Sequence, residues 1–271
     1  MTQSPETWHH GLVATWWAEF NQGGAEVEYF RRFVEDGGGP ALDVACGTGR
    51  LLLPYVRDGL DVDGCDVSAD MIALCRERAE REGLSPALYV QAMHELDLPR
   101  RYRTIFVCGG FGLGSTRGRD AEALRRFHDH LADGGTLVLD NEVPYANRRQ
   151  WRLWPRDGRA GLPEDWPEPD ERRTASDGSE LALRARILEL DPLAQTVSYE
   201  MQARQWRDDV LAGEEVHRLD VNLYFRDELL LLLERAGFVG IDVRGGHADE
   251  EPTPDHEFLV FVARKHRAPA A

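Results

Sequence analysis

The sequence has little positive charge. Its 32 lysines and arginines are outnumbered by 48 aspartates and glutamates, which gives a formal net charge of −16 at pH 7. Proteins that act on nucleic acids bind the phosphate backbone through basic surfaces. A few local arginine pairs do not reverse the overall balance. We therefore expect no nucleic-acid partner.

Cysteine is scarce and long apolar runs are absent. No two of the four cysteines form a Cys-x-x-Cys pair, and Cys46, Cys65 and Cys108 lie in or beside predicted buried strands. This pattern is typical of reduced core thiols rather than of disulfides or zinc ligands. The leucine run 229–233 is far too short to cross a bilayer, and no secretory signal is visible. We expect a cytoplasmic protein without a membrane partner.

A predicted strand, a tight turn and a helix follow one another near the start of the chain. The strand contains Asp43, small residues recur at Ala45, Gly47 and Gly49, and an apolar segment follows at 51–56. Small residues let a ligand approach the backbone, and the helix N-terminus presents unpaired N–H groups at the same place. The pattern indicates a site for a nucleotide-like ligand.

The order Asp-x-Ala-x-Gly-x-Gly in this turn resembles the first motif of the class I S-adenosylmethionine (SAM)-dependent methyltransferases. The competing pattern is the dinucleotide fingerprint Gly-x-Gly-x-x-Gly, which Gly47 and Gly49 could open. Leu52 occupies the place of its third glycine. Asp43 suits a ligand that carries an ammonium group better than it suits a pyrophosphate. The resemblance implies SAM as the cofactor.

The second predicted strand, 60–66, ends at Asp66. A carboxylate in that position can accept hydrogen bonds from both ribose hydroxyls of an adenosine. Ser68 should cap the following helix, predicted over 69–82. Val67 and Met71 resemble the family's continuation of this motif. The resemblance therefore places Asp66, Val67 and Met71 at the cofactor.

The adenine side of the expected site departs from the family pattern. The family often has an aspartate after the third strand, here 87–90, but this chain has Ala92 in its place. Adenine contacts would then depend on the backbone near Met93, on apolar packing, or on His94 or Glu95.

A glycine-rich loop follows the fourth predicted strand, 104–108. It begins after Cys108, which the resemblance places at the cofactor, includes Phe111 and extends to residue 115. Glycines at a strand's carboxyl end allow close approach of ligands, so we expect the loop to border the reacting atoms. A helix over 120–131 and a fifth strand over 136–140 complete the alternating order.

These elements predict an α/β protein with a Rossmann-like, doubly wound, mainly parallel sheet. The cofactor-binding core comprises residues 40–143 and 222–265, where a helix ends at Gly237 and two final strands form an antiparallel edge. Residues 1–39 form two helices, which in similar enzymes cover the cofactor as a lid. Residues 144–221 are an insertion, irregular to about residue 173 and then a three-stranded antiparallel β-meander. The resemblance gives this insertion one of two roles, a substrate wall or a homodimer surface.

The residues that would bind the acceptor or act as a base are less well defined. For acceptor binding the prediction comprises Trp16, Trp17, Phe111, Glu142 and Tyr145. The base, if one is used, would come from Glu142, Tyr145, His217 or His247. The sequence does not choose among them.

No metal is expected at the site. Asp140 and Asn141 resemble a pair found in metal-dependent catechol-type methyltransferases, but Cys108 and Gly109 stand where a further aspartate ligand should be.

The leading interpretation is a SAM-dependent methyltransferase that acts on nitrogen or oxygen of a small-molecule acceptor. Two alternatives stay open at this point. One is a non-catalytic SAM- or adenosine-binding module, and the other is a nucleotide-dependent oxidoreductase, which the missing third glycine disfavours.

Overall fold

The computed structural model describes residues 7–168 and 171–267. Its centre is a seven-stranded sheet in the order β10-β11-β5-β4-β1-β2-β3, in which β11 is antiparallel to both β5 and β10 and the other neighbours are parallel. The strands are β1 (Ala41–Val44), β2 (Val62–Asp66), β3 (Leu88–Val90), β4 (Tyr102–Val107), β5 (Leu131–Glu142), β10 (Phe238–Gly245) and β11 (Phe258–Lys265). The predicted Rossmann-like fold is confirmed.

Helices cover both faces of this sheet. They are α2 (Ala25–Gly37), α3 (Leu52–Arg57), α4 (Ala69–Arg81), α5 (Arg117–His130) and α7 (Arg226–Arg235). Helix α1 (Gly11–Phe20) packs instead on α4 and on the strands of the insertion, which also contains α6 (Arg148–Trp151). One core cluster joins the sheet to α5 and α7, through Phe127 and Leu233, and another joins it to α2, α3 and α4, through Phe30 and Ile72. The central strands are buried on both sides, which explains why β1 and β4 are largely apolar in sequence.

Side-chain caps fix where two helices begin. The Ser68 hydroxyl accepts a hydrogen bond from the Met71 N–H at 3.1 Å, so α4 begins where the sequence predicts. The Thr116 hydroxyl accepts from the Arg119 N–H at 3.3 Å, so α5 begins before the predicted position at Asp120.

The insertion forms a second sheet in the order β6-β7-β8-β9, with antiparallel pairing throughout. Its strands are β6 (Arg173–Thr174), β7 (Glu180–Asp191), β8 (Thr196–Arg207) and β9 (Val210–Asn222). The long strands match the predicted meander, and the two-residue β6 adds a fourth strand. Such a short strand has too few residues to show an alternating pattern.

The segment before the meander is more ordered than predicted. The Asn147 side chain accepts a hydrogen bond from the Gln150 N–H at 3.1 Å and starts the single turn of α6. A 3₁₀ turn follows at Asp157–Gly161. The expectation of a wholly irregular loop is therefore wrong. The Asn147 cap stabilises a helical turn even though the segment lacks helical periodicity. Trp154 anchors the segment against Phe225, with ring centroids 5.6 Å apart, whereas Trp151 is exposed.

Within the described ranges, no helix combines the length and the apolar character needed to cross a membrane.

Candidate active site

A cavity of about 490 Å³, here called the first cavity, lies at the carboxyl ends of β1, β2 and β4. The chain continues from β1 to β2 on one side, whereas β4 lies on the other side of β1. Connections that diverge in this way leave a crevice at the strand ends, where ligands of open α/β sheets bind.

The glycine turn forms one wall of the first cavity. Gly47 has φ of +54°, and a Cβ built there would meet no atom within 4 Å, so the backbone faces open space. Its N–H donates to the Asp66 carboxylate at 3.0 Å. Gly49 has another role, because a Cβ there would lie 2.6 Å from Leu53 Cγ and 2.8 Å from Cys75 Sγ. Gly49 allows the turn to pack on the interior and does not line the cavity.

The carboxylates of Asp43 and Asp66 both line the first cavity. Asp66 also accepts a hydrogen bond from the Ser68 N–H at 2.8 Å, and burial raises its pKa although its backbone hydrogen bonds act in the opposite direction. Burial raises the pKa of Asp43 to about 8, with Arg50 opposing and Asp66 adding to the rise. A buried carboxyl without a full counter-charge suits a ligand that brings a positive group.

The first cavity gathers nearly all the residues that the sequence assigns to the cofactor. Besides the turn and the two aspartates, it is lined by Val67, Met71, Ala92, Met93 and Cys108. Gln91 and His94 complete the side where an adenine contact was expected, and Glu95 does not line the cavity. Gly49 alone among the predicted cofactor residues lies outside it.

The N-terminal segment covers the first cavity with Thr7, Trp8, His9, Trp17 and Asn21. The buried indole N–H of Trp17 has no hydrogen-bond partner in the described part of the chain. Burial, with the neighbouring His10, lowers the pKa of His9 to about 4, so this histidine is neutral at pH 7.

Trp16 does not reach the first cavity. Its ring packs against Trp17 and Phe20, and the Arg173 guanidinium lies 5.6 Å from its centroid. The sequence pattern could not separate the two neighbouring tryptophans, because both point toward protein.

Two carboxylates from distant segments hold the beginning of α1. Asp70 accepts a hydrogen bond from the Gly11 N–H at 2.7 Å, and Glu215 accepts one from the Leu12 N–H at 2.8 Å. They satisfy N–H groups that have no partner within the helix, and their charge favours its N-terminus. His217 belongs to this anchor, because its Nε2 lies 3.1 Å from Glu215 and its ring centroid 3.8 Å from that of His10. The His217 side chain does not line the first cavity.

A second cavity, of about 680 Å³, adjoins the first. Trp8, Gly109 and Leu113 line both. Its other walls come from the end of β5, from Pro144, Ala146, Asn147 and Gln150 of the insertion, from β8 and β9, and from the start of β11. Such a volume suits a small organic molecule.

Two neighbouring glutamates contribute to the second cavity. Strand pairing places Phe258 opposite Glu142, which brings Glu257 beside Glu142. Both line the cavity. Protein surrounds the Glu142 carboxylate on most sides even though the cavity leaves it accessible to solvent. Burial, and then the charge of Glu257, raise its pKa above the ordinary 4.5.

The remaining predicted acceptor residues divide between the second cavity and its surroundings. Phe111 lines the cavity. Tyr145 does not, because its side chain is 37% exposed and rests against the Trp151 ring.

Asp140, which lines the second cavity, is the centre of a hydrogen-bonded network. It accepts from the Gly109 N–H at 2.5 Å and from the Cys108 thiol at 3.3 Å, and its Oδ2 lies 3.1 Å from His247 Nε2. The ligand atoms of Cys108, Asp140 and His247 lie within 4.8 Å of one another. Thiol and imidazole are poor ligands for Mg²⁺, and the Arg50 guanidinium lies 3.5 Å from the sulfur. The chemistry of this set does not fit the catechol-type magnesium alternative.

Comparison with known proteins shows what the chain is similar to. Residues 41–135 match the family model described as a methyltransferase domain. The chain carries a methyltransferase domain. A protein from Geobacillus sp. (strain WCH70), named provisionally as a methyltransferase, is 24% identical over 238 residues, which cover 87% of this chain and 88% of that protein.

Two further similarities bear on the fold and the chemistry of this methyltransferase. The dTDP-3-amino-3,6-dideoxy-alpha-D-glucopyranose N,N-dimethyltransferase of Streptomyces fradiae is 34% identical over 102 residues, 36% of this chain and 38% of that enzyme. A SAM-dependent methyltransferase from Clostridium acetobutylicum ATCC 824 has the same fold, with a TM-score of 0.68 at 15% identity over 89% of this chain and 91% of its own. The predicted class I fold, methyltransferase activity and SAM cofactor are confirmed.

Sequence reasoning missed several residues at the site of the methyltransferase. Arg50 lines the first cavity and pairs with Glu26 of α2, and it directly follows the glycine motif, so its position was a usable signal. Glu257 gave no such signal, because only the register between β5 and β11 brings it to Glu142.

The pKa of Asp43 leads to a test of the first cavity. Below about pH 8 the free protein keeps Asp43 protonated, whereas pairing with the ammonium group of SAM favours the ionised carboxylate. Binding at pH 7 should therefore release close to one proton from the protein. Calorimetry in two buffers of different ionisation enthalpy measures this release. Asp43→Asn should bind SAM more weakly and release none, and equal proton release by both proteins would contradict the assignment.

Proposed function

We propose that this methyltransferase transfers the methyl group of SAM to the amine nitrogen of a small molecule bound in the second cavity. The observation that carries the proposal is the position of Glu142 and Glu257 in a cavity that shares Trp8, Gly109 and Leu113 with the first cavity. Carboxylates attract an ammonium group and can accept its proton, whereas a neutral hydroxyl gains little from a pair of negative charges.

The residues of the first cavity fit SAM as follows. Asp43 would hold its ammonium group, Asp66 its ribose hydroxyls, and residues 91–94 its adenine, while Gly47 lets the ligand lie against the backbone. The N-terminal segment would close over it through Trp8 and Trp17 and exclude water. When bound, SAM supplies an electrophilic methyl group on a sulfonium.

Glu142 would prepare the acceptor for attack. An amine is protonated in water, so its nitrogen has no lone pair until a base removes the proton. Glu142 accepts that proton, and the neutral amine then faces the first cavity. Because burial and Glu257 raise its pKa, the protonated form of Glu142 is less unfavourable than that of an ordinary glutamate, which helps a general base.

Two further observations support this reading. The insertion contributes to the second cavity as a substrate wall would, through Pro144, Ala146, Asn147, Gln150, Tyr199 and Val221. The Streptomyces fradiae relative is named as an N,N-dimethyltransferase of an amino sugar.

The direct test measures formation of S-adenosylhomocysteine (SAH) from SAM with matched small molecules that differ only in carrying an amine or a hydroxyl. We expect product with the amines, an increase in acceptor mass of one or two methyl groups on nitrogen, and unchanged activity in EDTA. Methylation of the hydroxyl series alone would refute N-methylation. Binding of SAM without SAH formation across the panel would favour the non-catalytic module instead.

A further inference from the structure

We infer that the acceptor is an amphipathic amine without a phosphate group, and not a nucleoside-diphosphate sugar. This inference rests on the proposed function and specifies the substrate class of the same site. The acceptor of this chain would then differ from that of the Streptomyces fradiae relative, which is named for a dTDP-linked amino sugar.

The charges of the second cavity carry the inference. Asp140, Glu142 and Glu257 contribute to its lining, and no arginine, lysine or histidine does so in the ranges 7–168 and 171–267. Asp140 is held by its own hydrogen-bonded network, so the two glutamates face the acceptor. A diphosphate brought beside them would meet like charges and would lose its hydration without gaining a cationic partner. Proteins that recognise phosphates supply arginine, lysine or helix N-termini.

The arginines around the two cavities already have acidic or other partners. Burial raises the pKa of Tyr199, and Arg149 is close enough to oppose that rise, but the Arg149 Nε donates to Glu164 at 3.0 Å. Arg50 pairs with Glu26, and Arg119, on the wall of the first cavity, is also engaged. A phosphate would have to displace these pairs before it gained a counter-charge.

Aromatic rings supply the other half of the recognition. Trp8, Phe111, Tyr199 and Phe258 line the second cavity from four different segments, and the rings of Trp8 and Tyr199 have centroids 6.0 Å apart. Ring faces attract cations and cover apolar surface. The Tyr199 hydroxyl donates to Gln150 at 2.9 Å, so its ring is fixed in place. Aromatic walls beside paired carboxylates fit an ammonium group on an apolar body.

The experiment uses SAH-saturated protein and two probes, phenethylammonium and dTDP, measured by calorimetry. We expect phenethylammonium to bind and dTDP at 1 mM to show no binding. In the turnover assay, an amino sugar presented as a simple glycoside should have a kcat/KM at least tenfold above that of its dTDP-linked form. A preference for the dTDP-linked form, binding of dTDP, or binding of neither probe would overturn the inference.

Variants give the inference a second readout. Glu257→Lys should weaken phenethylammonium binding by at least tenfold and create measurable affinity for dTDP, while Glu257→Gln, a smaller change, should weaken the first without creating the second. The matched control is Glu251→Gln. Glu251 is exposed on the same connection between β10 and β11 and lies outside both cavities, so this variant should change neither phenethylammonium binding nor dTDP affinity. Equal effects of Glu251→Gln and Glu257→Gln would contradict the inference.

The outcomes also separate this inference from the proposed function. Methylation of a dTDP-linked amino sugar on nitrogen, with no turnover of the free glycoside, would leave N-methylation standing and refute the phosphate-free acceptor. Binding of phenethylammonium with methylation only of hydroxyl compounds would leave the cation preference standing and refute N-methylation.

Discussion

Replacement of Glu142 by glutamine should lower kcat for amine methylation by about 10²- to 10⁴-fold, the usual contribution of a general base. The amide keeps the shape of the side chain and its place at the end of β5, but it cannot accept the acceptor's proton. SAM affinity should stay within about twofold of the wild-type value, because Glu142 does not line the first cavity. Stopped assays of SAH formation and calorimetry of SAM binding measure the two effects separately.

The pH profile distinguishes a base from a residue that only shapes the cavity. In the wild type, kcat should fall as the pH decreases through the pKa of Glu142, and this acid limb should lie above pH 4.5 because burial and Glu257 raise that pKa. Glu257→Gln removes one of the two causes, so it should move the acid limb to lower pH and retain kcat on the plateau. An acid limb that Glu142→Gln leaves in place would assign it to another group.

Gly47→Val should weaken SAM binding by at least about 100-fold. A Cβ at Gly47 has no neighbour within 4 Å, so the valine side chain would project into the first cavity, and overfilling a closely packed site by this much costs ~3 kcal/mol. Calorimetric titration with SAM measures the loss.

The control for Gly47→Val must reproduce its effect on the backbone. Gly47 has φ of +54°, where a β-branched residue is strained by about 1–2 kcal/mol. Gly83 has φ of +69°, also without a neighbour within 4 Å of its Cβ, and it lies in an exposed turn after α4. Gly83→Val should therefore match the loss of thermal stability and bind SAM normally. If both variants lost SAM binding, the effect would come from the fold and not from the cavity.

The residues of the first cavity could be predicted because they follow strand ends that are close in sequence. Asp43, Gly47 and Asp66 lie at the ends of β1 and β2, and parallel pairing of those strands brings their ends together whatever the rest of the chain does. Capping also acts over three or four residues, so the start of α4 at Ser68 was readable from sequence.

The second cavity was less predictable because its walls come from segments far apart in the chain. The pairing of Glu142 with Phe258 depends on the register of two antiparallel strands, and a shift of one residue would change which side chains lie next to Glu142. His217 and Tyr145 illustrate the same limit. Each lies in a segment that contributes to the cavity, but its own side chain turns instead to the anchor of α1 or to Trp151. Their roles as bases stay predictions without support from this geometry.

The separation of the two cavities in sequence has an evolutionary consequence. The first cavity is built mainly from residues 43–123, with a short N-terminal contribution, whereas the two glutamates of the second are the last residue of β5 and the residue before β11. With the acceptor in the second cavity and SAM in the first, as proposed, substitutions at Glu142, Glu257 or Tyr199 would alter which acceptor is chosen without disturbing the SAM motif. A duplicated gene encoding this chain could acquire a new acceptor through a few changes at strand ends, and its use of SAM would be inherited intact.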